Sequence, residues 1–445
     1  MKKIYFLVLA LCLFTDVNAQ IINIPDANFK AKLLAASPNY YIAKNLSGSY
    51  FKIDVNNDGE IQLSEALEVS YLKVDAAGIL SLNGIANFTN LKHLECQNNQ
   101  LTSLDLINLI NLEYLRCDTN YLNNLNVSGL IHLTHLLCNN NQLINIDFSG
   151  LISITHMICS NNQFTNLNLT GLANLINLSC DYNSQLTNLS VNGLSNLKYL
   201  YCSNNVELTT LNVSGLVNLQ HFYFNNNSQL TSVDITGLNN LIRLECHDNR
   251  LTSLNCNGLT NLEVIICSNN ELTSINLDGL VNLSDLYVND NLLTSLNLDD
   301  LVSLDNIYCY NNQLTSLYMK NGRFQLPFLN NNPNLVFICA DDSEIEDVQY
   351  ILNTLNYFNC QINSTCSIGL VKMYPNPVSD ILKIVTNENE KINSINIYNT
   401  FGKLILIISN PQNIKTVDVS NLSSGNYFIK INSDKGTSNT KFIKQ

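Results

Sequence analysis

No tryptophan occurs among the 445 residues, and only 13% of them are charged. Acidic residues outnumber basic ones 36 to 23, for a net charge of -13. Such a surface repels polyanions, which argues against nucleic acid or an anionic membrane as a partner. Past the N-terminus no segment reaches the roughly 18 apolar residues that a membrane span requires. The local signatures of common active sites are missing too. There is no Gly-x-Ser-x-Gly elbow, no His-Glu-x-x-His helix, no phosphate loop and no Cys-x-x-Cys pair. The scattered Asp and Glu form no pair that reads as a glycosidase site. No residue is nominated as catalytic, and the expectation is a non-enzyme.

What the chain does have is one phrase, Leu-x-x-Leu-x-Cys-x-x-Asn-x-Leu. It returns eleven times between Leu91 and Leu314, at intervals of 21 or 22 residues. Its sixth place holds Cys96, Cys117, Cys138, Cys159, Cys180, Cys202, Phe224, Cys246, Cys267, Val288 and Cys309. Its ninth place is Asn at every return, from Asn99 to Asn312. A fixed period of this length marks units that bury their apolar faces only by stacking on one another. Leu94 and Cys96 alternate with outward residues, as in a short strand. The Asn amide can tie the following turn to its neighbour. Thr102-Ser103-Leu104-Asp105-Leu106 and its counterparts form the return leg. A 21-residue period leaves no room there for a full helix, so gentle curvature is expected. Three neighbouring repeats carry one extra residue, as in Asn183-Ser184-Gln185-Leu186. They should bulge without changing strand register. A degenerate unit at Leu72-Lys73-Val74, with Ala77 in the Asn place, opens the array, as terminal repeats commonly do. The solenoid is placed at 73–340.

Residues 1–19 read as a secretory signal: Lys2-Lys3, an apolar stretch from Ile4 to Phe14, and Val17-Asn18-Ala19 before Gln20. Fourteen cysteines in an exported chain would ordinarily point to disulfides. Nine of them occupy the sixth place, and parallel strands hold such side chains about 4.8 Å apart without convergence. A disulfide needs Cβ atoms about 3.5–4.5 Å apart on converging bonds. The expectation is a ladder of buried, inert thiols. Cys339, Cys360 and Cys366 lie outside the repeat and are the disulfide candidates, with one of the three left over.

Between the signal and the array, residues 20–72 form an N-terminal cap. A short helix is expected to begin near Pro25. Asp54-Val55-Asn56-Asn57-Asp58-Gly59-Glu60-Ile61-Gln62-Leu63-Ser64-Glu65 fits the Asp-x-Asn-x-Asp-Gly-x5-Glu calcium loop. The ligands to one structural Ca²⁺ would be Asp54, Asn56, Asp58, Glu60 through its carbonyl, and a bidentate Glu65, with Gln62 holding a water. The segment before the loop does not look helical, whereas Ser64–Val69 does, so the motif is half of an EF-hand. The plainer alternative is an Asp/Asn/Gly turn that holds no ion.

Beyond the array, 334–340 reads as a closing strand. Residues 342–356 read as a capping helix and 357–369 as a linker, so 341–369 is cap plus linker. Residues 370–445 change character. Short alternating strands at Ile381–Val385, Ile395–Tyr398, Leu404–Ile408, Thr416–Val419 and Tyr427–Ile431, with turns at Phe401-Gly402-Lys403 and Ser423–Asn426, predict a small β-sandwich.

Candidate binding residues are what the repeat leaves free. Three places ahead of the Cys, and immediately ahead of it, the concave sheet should present His93, Tyr114, His135, His156, Tyr199, Tyr201, His221, Tyr223, Tyr287 and Tyr308. Rigid side chains with a polar tip suit a binding surface. Tyr and His also simply suit strands, which is the plainer reading. His135 and His156 are adjacent but lack a third ligand at metal spacing, so no metal is expected there.

The repeat resembles the bacterial leucine-rich repeats, and its short period with Cys in a core place is similar to the cysteine-bearing branch of the internalin-like proteins. The resemblance implies a mainly β fold: a curved parallel-sheet solenoid with a small N-terminal cap. Pro375-Asn376-Pro377, Asn399-Thr400-Phe401-Gly402, Leu422-Ser423-Ser424-Gly425-Asn426-Tyr427 and Lys441–Gln445 resemble the C-terminal sorting domain of type IX secretion in the Bacteroidetes. That resemblance implies handling of 370–445 by the type IX machinery, passage through the outer membrane, and removal of the domain. Release or anchoring at the cell surface would follow. The expected function is non-enzymatic binding of a protein partner through the concave sheet. A glycan binder and a structural cell-envelope protein without a single ligand are the alternatives.

Overall fold

The computed structural model describes residues 20–366, 372–385, 392–400, 403–409, 416–433 and 436–445. The expected signal at 1–19 and the turn at Phe401-Gly402 lie outside the described residues. The chain divides into two compact units. One runs to Thr294 and adds Asp300–Asn312 and Pro327–Asn331; the other is Ser295–Asp299, Gln313–Leu326 and Asn332–Gln445.

The first unit is built on a 13-stranded sheet. Ala43–Asn45 pairs antiparallel with Val69–Lys73, and every later strand is parallel to its neighbour. The repeat strands are three residues long, and their middle residue is buried while its flanks are half-buried. Leu94, Leu115 and Leu136 have no exposed surface, and the same holds for all nine ladder cysteines. Each fully buried Leu contributes on the order of 2 kcal/mol. The second apolar side of every turn comes from the return leg. Leu122, Leu125 and Val127 are buried there, as is Cys256, a core thiol outside the ladder.

What sets the turn is visible in the hydrogen bonds. Asn120 donates through Nδ2 to the carbonyls of Cys96 and Cys117, both at 3.1 Å. Its Oδ1 accepts from Leu101 N–H at 3.0 Å. One amide therefore satisfies groups in two successive turns. Asn141 repeats this with Cys117, Cys138 and Leu122. In the longer repeats the acceptor side changes. Asn205 Oδ1 takes Asn183 N–H at 2.9 Å, and Leu186 N–H turns back to the Asn183 carbonyl at 2.8 Å. The extra residue is absorbed there, and the strands stay in register, Asn177 with Tyr199 and Tyr199 with His221.

The residue before each ladder Asn lies in the left-handed region, with φ between 52° and 60° from Asn98 to Asn311. Asn and Asp tolerate this conformation because their short polar side chains bond locally. Most of these places hold Asn or Asp, but Thr119 and Tyr182 stand in the same conformation.

The cap follows the expected order with shifted edges. Its first helix is Ala27–Leu34, with Asp26 Oδ1 accepting from Asn28 and Phe29 N–H. The helix after the acidic loop is only Leu63–Ala66, N-capped by Gln62 rather than Ser64, and Val69 already belongs to a strand.

In the second unit, Ser295–Asn297, Ser316–Tyr318, Phe337–Cys339 and Gln361–Asn363 form a parallel sheet. The capping helix is Ile345–Thr354, burying Val348 and Leu352. Part of the expected linker is thus a strand, Gln361–Asn363. Three residues are too few to show a period, and a Cys339–Cys366 disulfide holds the segment beside the closing strand. Cys360 is the thiol left over. The sorting segment is two antiparallel sheets around a core that includes Leu382, Ile395, Ile397, Ile429 and Phe442. Its strands include Lys372–Tyr374 and Gly436–Lys444 beyond those expected.

Two substitutions test this account by urea unfolding. Asn141→Ala leaves the Leu122 N–H without its acceptor and removes one of the two amide donors from each of the Cys117 and Cys138 carbonyls, and should cost about 2 kcal/mol. Thr119→Asn relieves a β-branched residue in the left-handed region and should raise stability by about 1 kcal/mol. A neutral Asn141→Ala would show that the amide ladder is incidental.

Candidate functional site

Alternation along each strand sends residues such as His93 and Glu95 outward together. In-register parallel strands then place equivalent side chains about 4.8 Å apart, which is also a comfortable spacing for stacked rings. The aromatic columns become ribbons. Tyr71, His93, Tyr114, His135 and His156 form the first, with centroid spacings of 4.7, 4.0, 5.5 and 4.5 Å. Tyr199 stacks on His221 at 5.0 Å and Tyr201 on Tyr223 at 4.8 Å. Tyr287, Tyr308 and Phe328 form the third, at 4.5 and 4.6 Å. The structure therefore groups the candidate residues into three sets. Tyr71 and Phe328 are members that sequence reasoning missed. Tyr71 stands 22 residues before His93, so the period itself points to it.

Hydrogen bonds fix how the rings present themselves. Thr134 Oγ1 donates to the Glu113 carbonyl at 2.8 Å, so it must accept from His135 Nδ1–H at 2.9 Å. Thr155 does the same between the Thr134 carbonyl and His156 Nδ1. Both imidazoles thus carry their proton on Nδ1 and turn a bare Nε2 lone pair away. Glu95 Oε1 accepts from Tyr71 Oη at 2.9 Å and lies 3.0 Å from His93 Nε2. Burial holds His93 below the usual imidazole range despite that carboxylate. Burial also lowers His135, helped by His156 and His93 nearby, and lowers His221. His93 and Glu95 are accordingly a hydrogen-bonded pair rather than an ion pair at neutral pH. The face's other charges are compensated locally, as in Arg116–Asp118 at 2.8 Å and Arg243–Glu245 at 2.6 Å. Two acceptors are left over: Gln97 Oε1 and Asn225 Oδ1 are buried without a partner among the described residues.

The acidic loop has the turn that its sequence requires, with Gly59 at φ 79°. The last element before it is the strand Ala43–Asn45, so no helix leads directly into it. Asp54 and Glu65 are buried, and both Glu65 oxygens face the loop backbone, accepting from Val55 N–H at 2.7 Å and Gln62 N–H at 3.0 Å. The Glu60 carboxylate turns away to Lys30 at 2.6 Å, which leaves only its carbonyl for an ion. Asp58 Oδ2 accepts from Asn56 Nδ2 at 2.8 Å and Gln62 Nε2 at 2.7 Å. The donor types are all oxygen and fit calcium. Loading would require those two amides to turn their oxygens inward. Among the described residues, no three His, Cys, Asp or Glu side chains form a metal-binding group.

The ladder thiols offer no nucleophile. Burial pushes the Cys309 thiol up to about 12 and the Cys117 thiol well above the ordinary value. In the folded chain they should resist a thiol reagent that labels them after denaturation. Rapid labelling of any ladder cysteine in the native state would contradict the packing. A second check is the His135 titration by NMR. A lowered imidazole binds fewer protons when folded, so the stability it contributes is complete above about 6.5 and lost as pH falls. Its midpoint should lie below that of a free imidazole and rise in His156→Ala.

Residues 372–445 match the secretion system C-terminal sorting domain. No curated protein matches the chain. Among solved structures, the functional domain of InlJ from Listeria monocytogenes, described as including a cysteine ladder, is similar. Its TM-score is 0.58 at 23% identity, over 96% of this chain and 98% of that one. The internalin InlF from the same species gives 0.48 at 18%, over 76% and 95%. No helix among the described residues is long and apolar enough to cross a membrane. The sorting domain implies export to the cell surface or the medium. The chain folds as a leucine-rich-repeat solenoid with a buried cysteine ladder, and its residues 372–445 match a secretion-system sorting domain.

Proposed function

We propose that the outward face of the long sheet binds a protein partner outside the cell, without catalysis. The observation that carries this reading is the way the ribbons are built. Their rings stack on one another, so most ring faces are covered, and the edges, phenol hydroxyls and imidazole lone pairs point out. Such an array offers rigid contact area rimmed with acceptors, which suits the mixed polar and apolar surface of a protein. Most of the covered ring faces are unavailable for stacking on sugars, which weakens a general glycan reading. The machinery that reads the sorting domain is a second, separate partner, contacting 370–445.

Surface binding by the secreted chain tests the partner class. Binding to neighbouring or host cells should vanish after protease treatment and survive periodate. Tyr114→Ala with His135→Ala should weaken it at least about tenfold, as removal of central aromatic anchors does. Loss after periodate alone would favour a glycan, and absence of binding to any cell would favour the structural envelope reading.

We also propose that the loop of Asp54, Asn56, Asp58, Glu60 and Glu65 holds one structural Ca²⁺. The support is the residue pattern, the Gly59 turn and a carboxylate pair already buried before any ion arrives. Millimolar Ca²⁺ should give binding heat and raise the melting temperature, and Asp58→Ala should abolish both. No heat from the folded chain would refute the site.

A further inference from the structure

The first two ribbons are separated by a single strand, Asn177–Ser179. His156 and Tyr199 both pair in register with Asn177, and Ile158 and Tyr201 both pair with Ser179. Tyr199 and Tyr201 have one ring face covered, by His221 and Tyr223. Their other faces look across Asn177 and Ser179, and no ring lies against them among the described residues. His156 closes the opposite side, backed by His135. Strands two apart stand about 9.6 Å from each other. Subtracting one contact distance of about 3.5 Å leaves a gap of about 6 Å between the ring walls. The side chains on its floor are short, and all are half-buried rather than sealed.

The floor is polar and its bonds have a direction. Ser179 Oγ donates to Asp181 Oδ2 at 2.9 Å. Ser160 Oγ, 2.7 Å from Ser179 Oγ, must therefore donate to it, and it accepts from Asp181 N–H at 3.1 Å. Ser203 N–H reaches Asp181 Oδ1 at 2.7 Å. The chain of donors ends on the carboxylate, each of whose oxygens takes one of these bonds. Along the rim of the same three turns lies a depression of about 410 Å³, lined in part by Thr155, Ile176 and Lys198. These are the residues just ahead of His156, Asn177 and Tyr199.

A flat apolar wall beside a narrow floor of acceptors asks for a ligand with the same two aspects. A phenylalanine side chain would fill the gap but offer the floor no donor, and a tyrosine or tryptophan only one. An anionic group would meet Asp181. A neutral pyranose has an apolar C–H face for the rings and hydroxyl donors for the carboxylate and amide. We infer that the notch at Asn177 and Ser179 is a subsite for one uncharged saccharide ring. The ring packs on Tyr199 and Tyr201 and hydrogen-bonds to Asn177 and Asp181. This subsite goes beyond the protein-binding reading and does not depend on it.

The test uses the full chain and saturation-transfer NMR with four probes: the methyl glycosides of glucose, galactose, mannose and N-acetylglucosamine. At least one should receive magnetisation on its ring C–H protons. Ser179→Tyr should continue the ribbon through the gap and abolish the transfer. Tyr201→Ala should remove the wall and weaken it at least tenfold, while Tyr350→Ala on the exposed side of the capping helix leaves it unchanged. Circular dichroism confirms that each variant is folded. Failure of all four glycosides, or transfer that survives Ser179→Tyr, overturns the subsite. Protein-partner binding to protease-sensitive cell surfaces is measured separately and can persist in either case.

Discussion

The buried amide of the ladder asparagine is the interaction on which the rest of this protein depends. Each one donates to a carbonyl of its own turn, all but Asn205 also donate to one of the turn before, and each closes a turn by accepting a backbone N–H. A solenoid must bend its chain at every repeat and still leave no buried peptide group alone. An amide has donors and an acceptor on one short side chain, so a single Asn settles both demands. A carboxylate has no donor and a hydroxyl only one, which leaves few substitutes. The cysteines beside it do a humbler job. They are small, apolar and buried, and Phe224 or Val288 fills the same place.

Fixing the turns fixes the strand spacing, and the spacing creates the outward face. Side chains that would be separate on an irregular surface become stacked rings because every equivalent residue falls in register. Stacking then decides which parts of the rings meet solvent. It also makes each interruption meaningful, because a short side chain in a column opens a gap with ring faces for walls. The strand at Asn177–Ser179 is such a place. Chemistry on this face is thus set by which residues break the repeat as much as by those that follow it.

Much of this was legible in the sequence because the period repeats the same physical demand eleven times. The strand places, the core thiols and the ladder Asn could be read directly, and so could the uneven repeats at Asn183. The left-handed residue was harder to see. Thr119 and Tyr182 occupy that place, so no single residue type marks it. Gln361–Asn363 gave no periodic signal, and its strand depends on a neighbour far back in the chain and on the Cys339–Cys366 disulfide. The capping role of Gln62 was hidden by Ser64, a better capping residue two places on. At the candidate site, the columns were legible as columns. Their stacking, the tautomers set by Thr134 and Thr155, and the notch at Ser179 depend on cross-strand distances that sequence does not carry. The calcium pattern stands apart: its residues are plain in sequence, while its geometry is a loop closed by its own amides.

Hydrogen exchange on the folded chain tests the central claim most directly. The N–H of Leu122 is bonded to the side chain of Asn141, and its counterparts at Leu101, Leu143, Leu251, Leu272 and Leu293 to theirs. If the amide ladder holds the array together, these protons exchange only when whole turns open, as slowly as the strand residues beside them. Fast exchange at those leucines, with the strands still protected, would show that the turns are held by something else.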